Sequence, residues 1–132
     1  MRYNERVVGI ISEKELKLIK KINELLGYSA LKEMVDPNEN EGYYVQPFLN
    51  KVTRIGFYKR FNQKEFNRVI DILKEFDQLY DLKLAKNGLT NVDRLVELKK
   101  LYSLDLREPL IENYDVITKK LFNQLGNIYI EK

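Results

Sequence analysis

Apolar side chains recur at relative positions 1, 4 and 6 in four short segments: Val52/Ile55/Phe57, Leu79/Leu82/Leu84, Leu101/Leu104/Leu106 and Leu125/Ile128/Ile130. The segments start 27 residues apart (52 to 79), then 22 (79 to 101), then 24 (101 to 125), close to the unit length of a solenoid made of one strand and one helical return. Side chains alternate between faces along a strand, so Leu82 and Leu84 are expected inward and Asp81, Lys83 and Ala85 outward. Helical spacing takes over between the strands. Phe66, Val69, Ile70, Leu73 and Phe76 recur at three- and four-residue steps after the first strand, and Asn62 with Glu65 forms a capping-box pattern at the start of that helix. Val92, Leu95 and Leu98 give the next return one apolar edge, and Tyr114, Ile117, Leu121 and Phe122 do so before the last strand. Strands that run one way with helical crossovers imply a parallel sheet with helices on its outer side.

The first fifty residues follow another pattern. Ser12 and Glu15 form a second capping box, Leu16, Ile19, Ile22, Leu25 and Leu26 make an amphipathic helix, and Gly27 is placed to end it. Such a helix would shield the apolar flank of the first coil. Segments 42–46 and 52–57, joined by a turn through Pro47, read as two strands, the first a short antiparallel flank. At the other end the strand 125–130 leaves an unpaired edge, which Glu131 and Lys132 could blunt; the expected state is a monomer or a weak dimer through this C-terminal edge strand.

The second unit, from Leu79 to Leu89, resembles the consensus of the leucine-rich repeat family, with Asn87 after the strand and Leu89 two residues on. The equivalent position is Arg60 in the first unit and Pro109 in the third, so the asparagine ladder that the resemblance implies is mostly missing and a less regular curve is expected. The leading helix, the Gly42 strand and the first repeat strand are also similar to the N-terminal cap of small bacterial members. The resulting expectation is one α/β leucine-rich repeat domain over 1–132. A helical N-terminal cap region (1–41) and a short flanking strand precede about four parallel strands on a concave side, with helices on the convex side.

Composition changes this picture little. With 132 residues, 44% hydrophobic and 33% charged, the chain is expected to be one soluble globular domain. No apolar run approaches the ~20 residues of a membrane span and no secretory leader opens the chain, so a cytoplasmic protein without a membrane partner is expected. The chain has no cysteine and no histidine. That removes disulfides, thiolate metal sites, the easiest nucleophile to activate and the commonest general base near neutral pH.

The remaining chemistry is thin. Asp105 with Glu108, and Glu112 with Asp115, are close in sequence, but such pairs read as solvated surface charge, and no catalytic residue is assigned. Asp36, Asn38 and Asn40 alternate as in a calcium loop, yet the sixth and twelfth places hold Glu41 and Pro47 instead of glycine and glutamate, so the segment reads as a polar turn. A net charge of +3 comes from 23 bases interspersed with 20 acids, which suits solubility better than a phosphate-binding stripe, and no nucleic-acid partner is expected. No nucleotide motif is present, so no cofactor is expected.

Function is therefore sought on the outward strand positions, which align in three columns: Arg54, Asp81, Ser103 and Asn127; Gly56, Lys83, Asp105 and Tyr129; Tyr58, Ala85, Arg107 and Glu131. Column members about 4.8 Å apart let Arg54 meet Asp81, Lys83 meet Asp105 and Arg107 meet Glu131. These rows could serve solubility alone. The functional expectation is a non-enzymatic module that binds an unknown protein or peptide through Arg54, Tyr58, Tyr80, Asp81, Lys83, Tyr102, Ser103, Asp105, Arg107 and Tyr129. An inhibitor or immunity-type protein that occludes a partner enzyme is the alternative.

Overall fold

A computed structural model of the chain describes residues 8–27, 31–112, 114–124 and 127–130, the last four through their backbone alone. The elements run α1 (Glu13–Leu26), β1 (Gly42–Gln46), β2 (Lys51–Tyr58), α2 (Gln63–Leu73), β3 (Asp81–Ala85), a 3-10 turn (Asp93–Glu97), β4 (Ser103–Arg107), α3 (Tyr114–Gln124) and β5 (Asn127–Ile130). The five strands lie in chain order in one open, mixed α/β sheet. β1 pairs antiparallel with β2, and β2 through β5 pair in parallel.

The register follows the repeat spacing. Ile55, Leu82, Leu104 and Ile128 stand opposite one another, as do Arg54, Asp81, Ser103 and Asn127. One face of the sheet is apolar: Ile55, Phe57, Leu82, Leu84, Leu104 and Leu106 share a core with Phe66, Val69, Ile70 and Leu73 of α2, Leu95 of the 3-10 turn, and Ile117 and Leu121 of α3. Burying large side chains at about 1.5–3 kcal/mol each is what holds the helical returns to the strands.

The capping signals divide. At α2 the box closes: Asn62 Oδ1 accepts from Glu65 N at 2.9 Å and Glu65 Oε1 accepts from Asn62 N at 3.1 Å. At α1 only half forms. Ser12 Oγ accepts from Glu15 N at 3.2 Å, but the Glu15 carboxylate leaves the helix end and takes the Val52 amide at 2.8 Å, joining α1 to β2. Gly27 ends α1 at a φ of 80°, a left-handed conformation that glycine adopts without a Cβ clash.

Several side chains sit elsewhere than the periodicity implies. Leu18, not Leu16, is buried on α1, and Leu25 is half-buried. Phe122 is exposed, because α3 turns Ile117 and Leu121 toward the sheet and the next position lies about 100° around the helix. The return through Val92, Leu95 and Leu98 is a single 3-10 turn with these three residues buried. Leu125, in the fourth apolar set, and Glu131 and Lys132, expected to blunt the edge, lie outside the described residues.

Candidate functional site

The polar face of the sheet carries the candidate residues, and part of it is covered by the chain itself. The 36–41 loop, which leads into β1, crosses this face. A Cβ on Gly56 would stand 2.3 Å from the Asn40 carbonyl oxygen, so only glycine leaves room for the crossing. Lys83 Nζ donates to the carbonyls of Asn38 and Glu39 at 3.0 and 3.2 Å. Arg107 Nη2 reaches Asn40 Oδ1 at 3.2 Å, and Arg60 grips both carboxylate oxygens of Glu41 at 3.1 and 2.6 Å. The loop's acids are engaged within the turn: Glu39 accepts from the amides of Val35 and Asp36, and Asp36 from that of Asn38.

This arrangement revises the expected rows. Lys83 does not meet Asp105, because the loop carbonyls capture its ammonium group. Asp105 instead holds Arg107 two residues along its own strand, through Nε at 3.0 Å and Nη2 at 3.2 Å. The Arg54–Asp81 pair forms at 2.5 Å, but Asp81 is only 4% exposed, so it belongs to the interior rather than to an open face. Ala85 and Gly56 are buried too. The expected partner of Arg107, Glu131, lies outside the described residues, as does the Tyr129 side chain, whose backbone stands opposite Asp105.

Three of the candidate residues lie at or just before the strand starts. Tyr102 is 59% exposed, Ser103 is half-buried, and Tyr80 is half-buried beneath Arg54, whose guanidinium carbon lies 5.3 Å from the ring centre. At the strand ends, Tyr58, Ala85 and Arg107 join Asn40, Glu41, Lys86 and Pro109 around a cavity of about 450 Å³.

Beneath these ends lies a buried polar cluster that sequence reasoning missed. Glu108 is 1% exposed, not solvated surface charge. Its Oε1 accepts from the amides of Asn87, Gly88 and Leu89 at 2.9, 3.1 and 3.3 Å, and its Oε2 accepts from Asn87 Nδ2 at 2.8 Å. Asn87 completes the link to the end of β2 by donating to the Phe57 carbonyl at 3.1 Å and accepting from Arg60 N at 2.8 Å. Where Pro109 occupies the asparagine position, the residue before it turns inward and bonds the backbone of the neighbouring turn. A second buried carboxylate, Glu15, is 1% exposed; burial raises its pKa, against the opposing pull of the Val52 amide and Lys51.

Among the described residues no group of three or more His, Cys, Asp or Glu is placed to hold a metal ion, and no helix is long and apolar enough to cross a membrane. The chain matches no known family model, and no curated protein matches it.

Proposed function

We propose that this chain is a leucine-rich-repeat-type module whose strands β2–β5 form the concave side of a short solenoid, and that it binds a protein or peptide without catalysing a reaction. The observation that supports this reading is the unbroken parallel register of those strands, which sets outward side chains in side-by-side rows on a rigid sheet. Rows fixed in advance lose little conformational entropy on association. The docking surface is narrower than the ten residues the spacing suggests. It centres on the strand starts, with Tyr102 as the exposed aromatic anchor, Ser103 beside it, and Tyr80 and Arg54 stacked at the margin.

Arg54 is a poor probe of this surface, since removing it would strand the buried Asp81 charge and destabilise the fold itself. Tyr102→Ala alters an open position and Ser103→Arg a half-buried one opposite Asp81. Affinity capture from native cell extract should recover a partner with wild type and with a Lys17→Ala control on α1, and lose it with either strand-start variant at unchanged melting temperature. Identical capture by all four proteins would rule the surface out.

A further inference from the structure

We propose that the 36–41 loop is a displaceable strap, and that the strip of sheet beneath it, centred on Lys83, binds an acidic peptide segment that takes the strap's place. This inference stands on the strap's own bonds and does not rest on the docking surface at the strand starts.

Three observations carry it. The first is what the strap covers: it touches one residue each of β2, β3 and β4. The Asn40 carbonyl packs over Gly56, the Asn38 and Glu39 carbonyls accept from Lys83 Nζ, and Asn40 Oδ1 accepts from Arg107 Nη2. Gly56, Lys83 and Asp105 stand opposite one another in the register. A main chain laid across such a row shows that the sheet has room for an extended segment there, and that Lys83 and Arg107 are placed to bond it.

The second is how the strap is fastened. Its base is firm: Met34 and Tyr43 are buried, Met34 N donates to the Tyr43 carbonyl at 2.7 Å, and Tyr43 N donates to the Lys32 carbonyl at 3.0 Å. Between these anchors no side chain from 35 to 41 is buried. The strap is a turn closed on itself, with Glu39 accepting from the Val35 and Asp36 amides and Glu39 N donating to the Asp36 carbonyl at 3.1 Å. It can therefore leave the sheet as a unit. Segments held by exposed polar bonds without apolar burial lie at the low end of local stability.

The third is charge. Lys83 is half-buried, and its ammonium group bonds two uncharged carbonyls and no carboxylate among the described residues. The neighbouring acids are engaged elsewhere: Asp105 by Arg107, Glu41 by Arg60, Asp81 by Arg54, and the strap's Asp36 and Glu39 by amides of their own turn. The Lys83 charge is thus bonded by dipoles alone. A hydrogen bond to an ionised acceptor is about twice as strong as one between neutral groups. A peptide carboxylate therefore displaces the strap carbonyls from Lys83, and the strap holds the place until one arrives.

The test is titration of the whole chain with a capped peptide of alternating glutamate and glycine, followed by amide chemical shifts, with the matching glutamine peptide in parallel. Saturable shifts are expected together at Gly56, Lys83 and residues 38–40 with the glutamate peptide, and none with the glutamine peptide. Lys83→Met should weaken binding about tenfold or more, the effect of one charge-assisted bond, and Lys83→Arg, which keeps the charge, should retain most of it. Glu39→Ala unties the turn of the strap and should bind the peptide several-fold more tightly than wild type. Equal binding of the two peptides, affinity unchanged in Lys83→Met, no gain in Glu39→Ala, or no saturable binding at all would each overturn the proposal. Shifts that leave residues 38–40 unmoved would do so too, since the ligand would then sit elsewhere and the strap would be a fixed part of the fold.

Discussion

Glu108 and Asn87 meet in the interior through two bonds: the Asn87 amide donates to Glu108 Oε1 at 2.9 Å, and the Asn87 side-chain nitrogen donates to Oε2 at 2.8 Å. One carboxylate thereby satisfies the turn that follows β3, and one asparagine ties that turn to the end of β2. Buried polar groups in such a network are costly to strand because water cannot replace the lost partner.

Removing that carboxylate should be severe. Glu108→Ala leaves the amides of residues 87–89 without their acceptor, and a loss of about 3 kcal/mol or more is expected from the usual cost of unsatisfied buried donors. Glu108→Gln retains one acceptor oxygen but sets an amide against Asn87 Nδ2, so roughly half that loss is expected. Urea unfolding measures both, and a loss below about 1 kcal/mol for the alanine variant would refute the structural role.

The crossing of the 36–41 loop over Gly56 makes a second expectation. In Gly56→Ala the new methyl group meets the Asn40 carbonyl at 2.3 Å, and the obstacle is backbone rather than a flexible side-chain tip. The loop must lift, at a cost of about 1–3 kcal/mol. Amide shifts should change at residues 38–41 and at Lys83, whose ammonium group bonds that loop. Shifts confined to β2 would show that the loop does not lie there.

Acid titration should separate two glutamates of opposite sign. Burial raises the Glu15 carboxyl above its ordinary 4.5, so the folded state binds its proton more tightly than the unfolded chain does. The stability this residue contributes is complete below pH 4.5 and is lost as the pH rises through the folded value. Glu97 is pulled down to about 2 by Arg94 first and Lys74 second, so its contribution is present above 4.5 and disappears as the pH falls toward 2. Urea unfolding should show Glu15→Gln gaining on wild type as the pH rises above 4.5, since the amide still accepts from Val52 while no charge is buried. Glu97→Gln should lose stability at neutral pH and converge with wild type near pH 2. A gain for Glu15→Gln that stays constant across the range would mean that the carboxyl titrates at the same pH in both states.

Local rules carried far along this chain. Alternation within the strands and the 1, 4, 6 spacing place Leu82 beside Leu104 and Arg54 beside Asp81, because a two-residue period leaves little freedom once one face is buried. The Asn62 and Glu65 box forms as its residues suggest, since both partners lie within one turn. Glu15 follows the same local pattern yet spends its carboxylate on Val52, 37 residues away.

By itself, then, the amino-acid pattern determined the strand positions, their register and which face is apolar, all consequences of periodicity over a few neighbouring residues. Only the tertiary structure decided what lies on the polar face. The 36–41 loop, the inward turn of Glu108 and the approach of Lys86 to the Tyr58 ring depend on residues brought together from distant parts of the chain. No short-range periodicity encodes those meetings, because they arise from how the chain crosses itself and from which buried charge finds a donor.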